Sequence, residues 1–226
     1  MRAALLVLLL ALSPAAANVR IVSVGSTHSH VVALTFDAGA DRGYAARILQ
    51  ILERNHIHAT FGMTGVWAKA NGDLVRRMIR DGDVLVNHTY DHRSFTGYST
   101  KTAALTRQQR TWEITQADRV IRSEVGRNAK PYFRPPYGDY DQATLTLLLS
   151  LGYRYMVMWT VDSLGWEGLS APAIIQRCMS LLRPGAIYLM HVGIQSQDAA
   201  ALPSFLTALK RAGYREVTVP QLIALH

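Results

Sequence analysis

Apolar runs of strand length alternate with stretches of helical periodicity along almost the whole chain. Strand-like runs cover 31–37, 58–63, 83–87, 131–134, 154–161, 186–191 and 215–219. Between them, 42–54, 72–81, 101–125, 141–151, 171–182 and 198–212 carry apolar residues at helical spacing. Runs as apolar as Val31-Val32-Ala33-Leu34 suit inner parallel strands, which are covered on both faces. Strand–helix alternation provides that cover through helical crossovers, so the pattern predicts an α/β fold, either a barrel or a doubly wound sheet. No linker, low-complexity segment or clear repeat divides the chain, and its 226 residues suit one domain with a substantial core.

The first residues have a different character. Arg2, the apolar run Ala3–Leu12, Pro14 and then Ala15-Ala16-Ala17 have the layout of a secretory signal peptide. The run is too short to span a bilayer comfortably, and no later segment is long and apolar enough to do so. The expectation is a leader over 1–17 and an exported domain over 18–226, placed in the periplasm, at the cell wall or outside the cell. A retained anchor is the alternative. Loss of Arg2 with the leader lowers the formal charge from +8 to +7. No basic run is interleaved with aromatics, so nucleic acid is not an expected partner, and a monomer is expected. The single cysteine, Cys178, excludes an intrachain disulfide and reads as a buried structural thiol.

In parallel α/β folds the carboxyl ends of the strands carry the active groups. The unusual polar residues fall at those ends. Asp37 closes the first run in "TFDAG", "NHTYDH" closes the third, "RPPYG" the fourth, "VDSLGW" the fifth and "LMH" the sixth. Core packing does not explain polar groups at five strand ends.

Each motif admits a chemical role beside a bland one. His88 and His92 are four apart, and a helical turn after Asn87 would put both imidazoles on one face, as a shared metal requires. Arg134, stiffened by Pro135 and Pro136, can be held against a carboxylate, and pairing with Asp37 would keep that acid ionised. His191 can serve as a general acid, because imidazole titrates near neutrality. Asp162 either tunes a histidine or simply starts a loop. Trp166 either walls a sugar ring or packs in the core.

Taken in order, "TFDAG", "HTYDH", "RPPYG", "VDSLGW" and "LMH" resemble the motifs of polysaccharide deacetylases of the NodB-homology type, carbohydrate esterase family four, from about Val31 to Val219. The resemblance implies a distorted (β/α) barrel of about seven strands that removes acetyl groups from glycans with a divalent metal, zinc first, cobalt or manganese otherwise. It implies Asp37 as general base, His88 and His92 as metal ligands, Arg134 as tether of the base, and His191 as the acid that protonates the leaving amine. The Tyr137 backbone N–H would help bind the oxyanion, with Trp166 and Leu189 beside the substrate.

Two positions depart from that pattern. The family's first motif usually reads TFDDG, its second Asp a metal ligand, and here that residue is Ala38. The fourth usually reads DxxDW, and here the second carboxylate is Gly165, leaving Asp162. Asp41 and Asp91 stand nearby in sequence as candidates for a missing ligand. The expected function is an exported metal-dependent deacetylase of an N-acetylated glycan, peptidoglycan first, with chitin-like oligomers and acetylated hemicellulose as alternatives. Its rival is a catalytically silent glycan-binding protein that keeps the groove.

Overall fold

A computed structural model describes residues 18–225 apart from Ser26 and Ala40, so the leader expected over 1–17 lies outside the described residues. The strands are β1 (Arg20–Val22), β2 (Val31–Ala38), β3 (Thr60–Met63), β4 (Val84–Asn87), β5 (Tyr132–Phe133), β6 (Tyr155–Val157), β7 (Val161–Asp162), β8 (Ile187–His191) and β9 (Arg215–Val217). The helices are α1 (Ala45–Arg54), α2 (Gly65–Ala70), α3 (Gly72–Arg80), α4 (Arg107–Val125), α5 (Gln142–Ser150), α6 (Ala171–Ser180), α7 (Asp198–Arg211) and α8 (Val219–Ile223). The strands form one sheet in the order β1-β6-β5-β4-β3-β2-β8-β7, with β9 also paired to β2. Every ladder between these strands is parallel. This is the expected (β/α) barrel, curled and open between β1 and β7.

Nine strands among the described residues stand where about seven were expected. The run 154–161 breaks into β6 and β7, because Met158, Trp159 and Thr160 leave the ladder. The short strand β1 precedes the first expected run and pairs with β6. Helix α4 starts at Arg107 and not near 101, because a capping box fixes its start: Thr106 Oγ1 accepts from the Gln109 N–H while Gln109 reaches back to the Thr106 N–H.

Strand β2 shows how the chain places its polar groups. All eight of its residues are buried. Val32, Leu34, Phe36 and Ala38 pack outward in one cluster with Ile48, Leu49, Trp67 and Phe205 of the covering helices. Val31 and Ala33 face inward, in a second cluster with Val86, Val157, Ile187 and Leu222. Side chains alternate across a strand, so Thr35 and Asp37 continue the inward face. Asp37 therefore sits at the carboxyl-end mouth of the barrel, and Ala38 turns its methyl into the outer core. Burial of large side chains such as Trp67, Phe61, Tyr188 and Phe205 holds the two layers together, each contributing ~2–3 kcal/mol.

Candidate active site

Register fixes the first contacts. Asp37 is paired with Gly62 of β3 on one side and with His191 of β8 on the other. A side chain at Gly62 would collide with Asp37 Oδ1 and come within 3.9 Å of Arg134. Glycine at this position leaves room for a carboxylate and a guanidinium side by side. Arg134 Nη1 donates to Asp37 Oδ1 at 2.7 Å, Nη2 to Thr35 Oγ1 at 2.9 Å, and Nε to the Val157 carbonyl at 3.0 Å. Asp37 is 8% exposed and Arg134 1%, so the pair is shielded from screening by water.

The electrostatics follow from that enclosure. Burial works to raise the Asp37 pKa, but Arg134, with His88 and His191 behind it, outweighs burial and holds the carboxyl below its usual range. Burial lowers the pKa of His88, and burial together with the neighbouring His88 pushes His92 down to about 3. Both imidazoles are thus neutral at physiological pH. His88 donates Nδ1–H to the Arg134 carbonyl at 2.9 Å, leaving its Nε2 lone pair 3.4 Å from Asp37 Oδ2.

The two histidines meet by a route other than the expected helical turn. No helix follows Asn87. The chain instead turns sharply, with Thr89 and His92 both at φ 67°, and the two rings touch edge-on with centroids 4.7 Å apart. Side chains that the sequence reading passed over support this turn. Asn87 Oδ1 accepts from the Thr89 N–H at 2.9 Å. Glu113, buried on α4, accepts from the N–H groups of Tyr90 and Asp91 at 2.9 and 3.1 Å. The available signal was an acid standing on the same helical face as Ile114 and Ala117.

Asp37, His88 and His92 form the floor of a cleft of about 600 Å³, and His191, Leu189 and Asp162 form part of its wall. Tyr137, Trp166 and Trp159 stand around its mouth. Tyr137 and Trp166 are 51% and 50% exposed, so two aromatic faces are open to a ligand. Tyr137, held at φ 61° after the two prolines, packs edge-on against His92 at 4.6 Å. The Asp162 carboxylate accepts from the Leu164 N–H at 2.9 Å and from Trp166 Nε1 at 3.3 Å, as an acid that starts a loop does. Asp91 is exposed and points its backbone at Glu113, and Asp41 accepts from the Ile194 N–H. Asp41 lines the same cleft as the histidines, but among the described residues neither acid completes a metal-holding group with them. Cys178 is fully buried, and burial pushes its thiol up to about 12, an inert group.

Among the described residues, no group of three or more His, Cys, Asp or Glu side chains is arranged to hold a metal ion. The donor set fits a metal through its two neutral imidazoles alone, since Ala38 offers a methyl group on the opposite face of β2.

A parallel barrel whose strand ends gather an Arg-tethered carboxylate, two neutral imidazoles and a further histidine beneath an aromatic-rimmed cleft defines the class of carbohydrate-directed hydrolases. A family model described as polysaccharide deacetylase matches residues 24–156, and the chain belongs to this family. It is 30% identical over 203 residues to the peptidoglycan-N-acetylmuramic acid deacetylase PdaA of Bacillus subtilis (strain 168), spanning 88% of this chain and 74% of that protein. Its fold superposes on the Bc1960 peptidoglycan N-acetylglucosamine deacetylase with a TM-score of 0.82 at 27% identity, covering 91% of this chain and 94% of that one. It is also similar in fold to BA3943 of Bacillus anthracis, described as a pseudoenzyme of carbohydrate esterase family four, with a TM-score of 0.80 at 26% identity, covering 90% of this chain and 69% of that one. A mutant of BA3943 with restored enzymatic activity has the same fold.

Proposed function

We propose that this protein is an exported deacetylase of N-acetylated glycan, with peptidoglycan as its first substrate. The observation that carries the reading is the buried Asp37–Arg134 pair beside His88, on the floor of a cleft that His191 enters from the neighbouring strand. The leader over 1–17 takes the domain of residues 18–226 out of the cytoplasm. No helix among the described residues is long and apolar enough to cross a membrane.

The geometry supports the roles that the family resemblance implies. Asp37 is ionised and has one oxygen held by Arg134. Its other oxygen is directed toward His88 and is placed to take the proton of an attacking water. His191, across the β2–β8 ladder, gives a proton to the leaving amine. The Tyr137 N–H at the cleft edge donates to the developing oxyanion. Trp166 and Tyr137 offer flat faces to a pyranose ring, and Leu189 adds an apolar wall at the acetyl group. A divalent metal, zinc before cobalt or manganese, would be held by His88 and His92 and would supply Lewis acidity toward the acetyl carbonyl. With Ala38 in the place of a third ligand, its affinity is lower than that of a three-ligand site.

Ala38 also supports the second reading, a silent glycan-binding protein, and the likeness to BA3943 is in keeping with it. Acetate release separates the two. Purified protein loaded with zinc, cobalt or manganese should release acetate from N-acetylated peptidoglycan. Glycan binding without acetate release under any metal would favour the binding protein.

A further inference from the structure

The chemistry assigned to His191 requires that its ring be held with one nitrogen toward the cleft. The sequence motifs offer no partner for the other nitrogen. Asp162 is occupied by Leu164 and Trp166, and position 165 is glycine. His191 Nδ1 is nevertheless buried, and it has no hydrogen-bond partner among the described residues.

A carboxylate from another element stands beside His191. Asp198, the first residue of α7, is fully buried. Its Oδ2 accepts from the His191 backbone N–H at 2.8 Å and from Ser196 Oγ at 2.8 Å. Its Oδ1 is buried and has no partner either. Two orphaned atoms, one a potential donor and one an acceptor, thus belong to side chains already joined through a backbone hydrogen bond. Buried polar groups are almost always satisfied. The carboxyl and imidazole torsions are broad, so each group can turn about its own side-chain bonds.

Gly165 connects this carboxylate to the altered motif. A Cβ at position 165 would lie 2.5 Å from Asp198 Oδ1 and 2.7 Å from its Cγ. The Asp198 carboxyl group occupies the space that any side chain at 165 would need. Ser163, two residues earlier, also stands close to this carboxyl group.

We propose that Asp198 is the positioning carboxylate of His191: its Oδ1 accepts from Nδ1–H, turns Nε2 toward the cleft, and depends on glycine at 165 for its place. The catalytic consequence rests on the deacetylase reading, whereas the contact itself does not. A carboxylate delivered by α7 thereby does the work that a side chain from the 162–166 loop would otherwise do.

Two measurements on the full-length mature chain test this. The first is long-range ¹H–¹⁵N NMR of histidine-labelled protein, with His191 assigned by its disappearance in His191→Asn. The neutral His191 ring should carry its proton on Nδ1 in the parent and lose that preference in Asp198→Ala. Asp198→Leu, which keeps the volume and offers no acceptor, serves if the alanine variant does not fold. The second is steady-state acetate release. Asp198→Ala should lower kcat by about 10²-fold with little change in KM, the scale of a lost orienting or proton-transfer group. Gly165→Asp combined with Asp198→Ala should recover at least tenfold, because the carboxylate returns from the other side of the same space. A parent ring protonated on Nε2, or a tautomer unchanged by loss of the Asp198 carboxylate, would overturn the proposal. Absence of acetate release from the parent would sink the deacetylase reading, and the spectra would still decide the pair.

Discussion

The most informative residues are the two neighbours at the end of β2. Asp37 faces the cleft and is held ionised by Arg134; Ala38 is fully buried among outer-core residues. Asp37→Asn removes the proton acceptor and leaves Arg134 facing a neutral amide, so acetate release should fall to background. His191→Asn should cost about 10²–10⁴-fold, the range of a positioned proton donor. Parent-like rates in both variants would show that neither residue moves the reacting protons. Ala38→Asp tests the altered motif by a different route. A carboxylate there is buried without a partner unless a metal pairs with it, so the metal-free variant should melt below the parent. Zinc should then raise its Tm by more than it raises the parent's, because ligand binding to the folded state adds to stability. Equal zinc-induced shifts in the two proteins would mean that a carboxylate at position 38 does not reach the ion.

At the level of elements, turns and caps decide where the functional groups end up. The 88–92 turn is held by Asn87 from β4 and Glu113 from α4, so the histidines are positioned by the strand they follow and by a helix further along the chain. A similar acid braces the opposite end of the barrel. Asp83, 4% exposed, accepts from the Ala59 N–H at 2.8 Å and ties the entry of β4 to that of β3. Burial raises its pKa from 3.8 to about 7. Because the folded state binds this proton more tightly than the unfolded chain, its contribution is complete below about pH 4 and is lost as pH rises through about 7. A rise of this size sets an upper bound of about 4 kcal/mol on that loss. Asp83→Asn keeps an acceptor for Ala59 and cannot ionise. Denaturant titrations at about pH 4.5 and 7.5 should show a flatter pH dependence for the variant. An unchanged slope would mean that Asp83 is not responsible.

For the whole molecule, the barrel opens between β1 and β7, and the cleft lies at the carboxyl ends of its strands, where a long polymer can lie across it. Under the proposed function, the first 17 residues deliver this domain to a wall polymer. Cleavage after Ala17 should leave Asn18 as the first residue of the exported chain, and N-terminal sequencing of the secreted protein checks it. Recovery of an intact, membrane-embedded chain would refute the leader. Removal of the short leader should leave the fold unaltered, since the described core begins at Val19 and β1.

The sequence by itself determined the alternation of strands and helices, the parallel sheet, and the residues that meet at the strand ends. These are periodic or local properties: a period of two places Asp37 inward, and a stiff Arg-Pro-Pro stretch places Arg134. Strand boundaries within 154–161 were not legible, because Trp159 is as apolar as its neighbours and leaves the ladder only when the interior has to be filled. The tight turn through Thr89 and His92 was equally hidden, since positive φ in a non-glycine residue is imposed by bonds from Asn87 and Glu113 and not by its own preference. The exchange between positions 165 and 198 was the least visible. The two residues are 33 apart in sequence, and nothing local links a missing carboxylate in one loop to an acid at the start of a helix. Only tertiary packing puts Asp198 into the space that Gly165 leaves, because two side chains cannot share one volume.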